Sequence, residues 1–132
     1  MELKVIFKIS LFFTIIFSQN IFAEWKYMGI SEGLAGEGKG DELYIWNNIK
    51  KDGDKRTFPM LINYKIPLNG ERSSVTEVVT FCERPHRAML GDSEGFSKKF
   101  AKGQSFGVEK GGWWLTLPSR SILRKTVDFA CP

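Results

Sequence analysis

Cys82 and Cys131 are the only cysteines in this 132-residue chain, and the second stands one residue from its end. A bond between them would tie the last segment to the middle of the chain. It would close a loop of 48 intervening residues. On the chain-entropy model such a closure contributes about 4 kcal/mol, a large share of a small domain's stability. Two cysteines pair in this way when the protein is exported to an oxidising compartment.

The N-terminus points to export. Lys4 and Lys8 give a positive start, and Ile9 to Phe17 is an apolar run of nine residues. Ser18-Gln19-Asn20 breaks the run, and Ala23 offers a small residue for cleavage before Glu24. These are the three parts of a secretory signal. A membrane-spanning helix needs about 20 apolar residues, so this run is too short to span. The expectation is a signal peptide over residues 1–23 and one domain over residues 24–132. Because the residue after the cut is Glu24 rather than cysteine, no lipid anchor is expected. The exported product is expected in the periplasm, in the medium or on the cell surface, with no transmembrane segment.

A rival reading makes Cys82 a nucleophile, since His86 follows four residues later in Cys-Glu-Arg-Pro-His. Pro85 argues against a helix that would place both on one face. A thiolate also needs to have no disulfide partner. The pair Cys82 and Cys131 is therefore read as a disulfide, and no catalytic residue is assigned.

Three turn signals punctuate the chain: Asp52-Gly53, Asn69-Gly70 and Gly111-Gly112. Such pairs tolerate positive φ and favour tight hairpin corners. Between them, Phe58, Met60, Ile62, Tyr64 and Ile66 alternate as in a strand, although Leu61 breaks the pattern. Val75 to Phe81 is rich in β-branched residues, and Trp25 to Ile30 and Leu43 to Ile49 also read as strands. Two segments read as helices. One is short, capped by Asp92 or Ser93, carries Phe96 and Phe100, and stops at Gly103. The other follows Pro118, with Ser119 or Ser121 as cap and Leu123, Val127 and Cys131 on one stripe. The expected class is α+β: a meandering antiparallel sheet with a short helix and a C-terminal helix packed on it.

The formal net charge is +4, which is mild and dispersed, so nucleic acid is not expected as a partner. Gly33 to Gly40 comes within one residue of a phosphate-binding loop. Its last position is Gly40 instead of Ser or Thr, and a strand-like segment follows where a helix is needed. One histidine and no clustered carboxylates argue against a metal site, and no cofactor is expected. No serine has a nucleophile-elbow setting, so an enzyme is not expected. Candidate partner-binding residues are the basic cluster Lys50, Lys51, Lys55 and Arg56, suited to an acidic protein patch or acidic glycan, and the aromatics Tyr44, Trp46 and Trp114. Trp113 and Trp114 must face opposite sides of a strand.

The order of landmarks resembles the surface-adhesin protein E family of small exported bacterial domains. Trp25 opens the region, Trp46 precedes a charged turn, and a strand ends in Cys82 with Arg84, Arg87 and Leu90 close behind. Phe96, Phe100 and Gly103 follow, then Trp113 or Trp114, Pro118-Ser119 and a last helix ending in Cys131. The resemblance implies a disulfide-tethered helix on an antiparallel sheet, and attachment to host cells or matrix proteins. The chain lacks the anchor cysteine of some members, which shifts weight toward a periplasmic or secreted role. Two functions are expected from this: an adhesin-like module that binds a host matrix or envelope protein, or a periplasmic inhibitor or immunity protein.

Overall fold

At Asn69 and Gly70 the backbone takes positive φ twice in succession, 50° and 85°. That double reversal is what a two-residue hairpin demands, and it folds β4 (Lys55–Leu68) back on β5 (Glu71–Phe81). These two long strands form the centre of the sheet in a computed structural model. The structure describes residues 25–34, 38–84 and 87–132. The signal-like segment, part of the glycine loop, Pro85 and His86 lie outside the described residues.

The remaining strands are β1 (Trp25–Ile30), β2 (Glu42–Trp46), β3 (Lys50–Asp52), β6 (Arg87–Lys98), β7 (Lys102–Glu109) and β8 (Trp113–Thr116). All pairings are antiparallel, in the order β1-β2-β4-β5-β6-β7. Both β4 and β6 are long enough to serve two neighbours on one side. Lys55–Thr57 pair with β3 and Met60–Asn63 with β2. Likewise Arg87–Leu90 pair with β8, while Ser93–Lys98 hold β7.

Among the described residues, one helix, α1 (Ile122–Ala130), covers one face of the sheet. Ser121 caps it: its Oγ accepts from the Arg124 N–H at 3.2 Å and donates to the Pro118 carbonyl at 2.8 Å. Ile122, Leu123, Val127 and Ala130 pack with Leu43, Ile45, Phe58, Met60 and Val78 into the core. Leu61, which broke the strand alternation, is fully buried on the opposite face between its register partners Tyr44 and Val75. The Cys82–Cys131 disulfide joins the end of β5 to the end of α1. The Arg56 Nε donates to the Ala130 carbonyl at 3.1 Å, so a second long-range tie meets the same helix end.

Two expectations are corrected. The segment from Asp92 to Gly103 is not a helix; it is the second half of β6, a turn and the start of β7. At Gly95 an added Cβ would meet the end of the Glu71 side chain across the strand pair, which would have to swing aside. The turn places Phe100 and Ala101 at φ of 60° and 57°, a costly conformation for side-chain-bearing residues. Buried polar groups hold it. The Asn63 Oδ1 accepts from the Phe100 N–H at 2.9 Å, and the Ser73 Oγ accepts from the Ala101 N–H at 3.0 Å while donating to the Lys98 carbonyl. The second correction is at Gly111-Gly112, which does not close a hairpin. β7 and β8 do not pair with each other; the glycines carry the chain from one half of β6 to the other. The Gly112 N–H donates to the Leu90 carbonyl at 2.7 Å, and any Cβ at Gly111 would strike the Gly91 carbonyl.

Candidate functional site

Strand alternation disperses the basic cluster. Lys50 pairs with Thr57, Lys51 with Arg56 and Asp52 with Lys55, so Lys50 and Lys55 lie on the face away from α1 and Lys51 and Arg56 on the helix side. Arg56 is also engaged by carbonyls: besides Ala130, its Nη1 donates to Gly53 at 2.7 Å and Lys55 at 3.1 Å. Its guanidinium holds the hairpin and the helix end. Lys51 borders a shallow hollow beside Asp128 and Phe129 at the foot of the helix. The four cations thus form no single patch.

The aromatics, in contrast, converge. Trp25 and Trp46 are register partners and meet edge to face with centroids 5.0 Å apart. Tyr27 and Tyr44 pair next along the strands at 5.2 Å, and Phe100 closes on Tyr44 from the far turn, also at 5.2 Å. All five lie on the face opposite α1, where no helix among the described residues covers them. Tyr27 is 50% exposed and Phe100 39%. Burial raises the Tyr44 hydroxyl pKa, and the nearby Glu42 carboxylate raises it further. The row leads into a transverse hollow of about 470 Å3. Trp46 and Lys50 stand at one side of it, Pro59 and Val75 line it, and Glu77 and Glu94 bring acidic groups. Sequence reasoning missed the carboxylates. Their signal was alternation: Glu77 sits opposite Pro59, and Glu94 opposite Val75.

Asp92, also on the rim of this hollow, is held by the β7–β8 crossover. The Gly111 N–H and the Lys110 ammonium each approach its carboxylate at 3.2 Å. The Gly111 hydrogen bond, then the Lys110 one, lowers its pKa below the ordinary aspartate value. A lowered folded-state pKa means that this tie stabilises the fold above the unfolded aspartate value. The contribution disappears as pH falls through the folded value. NMR titration of the Asp92 carboxyl should show this depression, and Lys110→Ala should leave the part that the Gly111 hydrogen bond supplies. A full return to the ordinary value would assign the effect to Lys110 alone.

Trp114 is not part of the aromatic row. It lies on the same sheet face at the disulfide end, opposite Met89. Phe81 stacks on it with centroids 6.1 Å apart, and the Arg87 guanidinium lies 5.4 Å from its ring centre. These residues, with Asp54, Glu83 and Arg84, line a separate hollow of about 350 Å3. Its turn is braced by hydrogen bonds from the Cys82 N–H to Asp54, the Arg84 N–H to Phe81 and the Arg87 N–H to Arg84.

The described part of the glycine loop leads into strand β2, as its sequence implied. Asp41, at its end, accepts from the Lys65 N–H at 2.9 Å and so anchors the loop to β4. Among the described residues, no helix is long and apolar enough to cross a membrane, and no three metal-ligating side chains cluster.

The family model described as Surface-adhesin protein E matches residues 30–132. Among solved structures, Haemophilus influenzae protein E is similar with a TM-score of 0.58 at 16% identity, over 67% of this chain and 76% of that one. Its selenomethionine form gives 0.61 at 14% identity, over 80% and 84%. Protein E from non-typeable Haemophilus influenzae gives 0.57 at 14%, over 80% and 74%. At these identities the likeness concerns the fold. No protein of curated function is similar at a comparable level.

Proposed function

The chain belongs to the surface-adhesin protein E family, and from that premise we propose that it is an exported, non-enzymatic binding protein that engages a protein partner through the sheet face opposite α1. Residues 1–23 act as the export signal, and residues 24–132 are the working domain. The observation that carries this reading is the part-exposed row of Trp25, Tyr27, Tyr44, Trp46 and Phe100, which leads into the hollow beside Lys50 and Glu77. Part-exposed aromatics beside a concavity with charges at its rim are the composition of a protein-docking centre. Rigid strands hold the rings, so little order must be created on binding. A host matrix protein or an envelope protein supplies the partner.

Protease shaving of intact cells, followed by a matrix-protein panel on the purified oxidised domain, tests the reading. Loss of the protein on shaving and saturable binding to a panel member are the expected results. Survival on shaving with no panel binding would overturn the adhesin reading in favour of a periplasmic inhibitor or immunity protein. In the binding assay, Trp46→Ala should weaken affinity at least about tenfold, the scale of an aromatic hot spot.

A further inference from the structure

We propose that the hollow between Arg84, Arg87 and Trp114 is a second, independent site, and that it takes a carboxylate-bearing sugar ring at the end of a glycan. It shares no lining residue with the central hollow. Arg84 and Arg87 are both exposed, and among the described residues neither forms an ion pair with a carboxylate. Two guanidiniums at one cavity, neither ion-paired to the carboxylates that share it, suit an incoming carboxylate, which arginine can bind through two parallel hydrogen bonds.

The rest of the hollow narrows the ligand class. Trp114 is 43% exposed and is steadied by Phe81 and Arg87, so it offers an apolar platform with little freedom to lose. Asp54 and Glu83 line the same hollow. A ligand that covered these acceptors without supplying donors would leave them unsatisfied, at a cost. An aromatic acid brings no such donors, and a doubly charged phosphate would be repelled by both carboxylates. An acidic pyranose supplies all three features: a carboxylate for the arginines, hydroxyl donors for Asp54 and Glu83, and an apolar C–H face for the indole. About 350 Å3 is within the range of small-ligand sites. The disulfide at Cys82 and the backbone hydrogen bonds of Arg84 and Arg87 fix where the two arginines leave the backbone.

The probe is 3′-sialyllactose, titrated into the oxidised domain (residues 24–132) with the Trp114 indole resonance followed by NMR. Lactose is the neutral control, and a short acetylated peptide with a free C-terminal carboxylate is the protein-like control. The expected result is a saturable shift of the Trp114 resonance with sialyllactose and none with lactose. Arg87→Gln and Arg84→Gln should each weaken binding at least about tenfold, the loss expected for a charge-assisted hydrogen bond. Arg87→Lys should recover part of it. Trp46→Ala should leave it unchanged, which separates this site from the protein-docking face. Exposed positions tolerate these changes, and unaltered thermal melts confirm folding. Equal binding of lactose, tighter binding of the peptide, or no shift with sialyllactose would overturn the proposal.

Discussion

Reduction of the Cys82–Cys131 bond, or Cys82→Ser with Cys131→Ser, should cost about 4 kcal/mol and lower the melting temperature on the order of 20 °C. The two cysteines are 49 residues apart in sequence, so the bond removes a large loop entropy from the unfolded chain. It also fixes α1, whose apolar face covers the core. α1 has only nine residues, too few to be stable alone. After reduction the helix is still held by its apolar face and by the Arg56–Ala130 hydrogen bond. The fold should therefore persist at low temperature with its sheet intact but melt early. Thermal unfolding followed by circular dichroism, with and without reductant, measures this. Coincident melts would show that the staple adds nothing.

Phe58→Ala should cost about 3–5 kcal/mol. Phe58 is 0% exposed and sits in β4 within the cluster of Leu43, Ile45, Val78, Leu123 and Val127. Truncation removes the ring and leaves a cavity that rigid strands cannot collapse to fill. Ile66→Ala, on the same strand but 73% exposed, should change stability by less than about 0.5 kcal/mol. Chemical denaturation of the two variants tests the contrast. Similar midpoints would mean that the core does not lie beneath α1. Because Phe58 and the disulfide both hold the same helix, their losses together approach the whole stability of a small domain. The reduced Phe58→Ala protein should be largely unfolded at 25 °C.

The parts of this fold that could be read in advance depend on local chemistry. Asn69-Gly70 specified its own hairpin, Ser121 and the apolar stripe specified α1, and the two cysteines specified their bond. The segment around Phe96 and Phe100 misled because the two rings stand four apart, with Lys98, Lys99 and Lys102 in the pattern of a helix end. What decides its structure comes from elsewhere in the chain: pairing with β5, and Asn63 and Ser73 under the turn. The candidate site divides in the same way. Trp46 and Tyr44 could be chosen as candidate binding aromatics, but their union with Trp25, Tyr27 and Phe100 depends on strand register and a distant turn. The lysine cluster looked coherent in sequence because neighbours in a strand are close in number while facing opposite ways. Arg56 was misread as a surface cation because its carbonyl partner on Ala130 lies 74 residues away.

The most direct test of docking through the sheet face is a binding titration of the oxidised domain against its panel-selected protein partner. Wild type should be compared with Tyr44→Ala, Trp46→Ala and, on the helix side, Lys51→Ala, all checked for unchanged melts. Loss of at least about tenfold in affinity for the two aromatic variants, with Lys51→Ala unchanged, is the result predicted here. Undiminished binding by both aromatic variants, or a loss confined to Lys51→Ala, would contradict it.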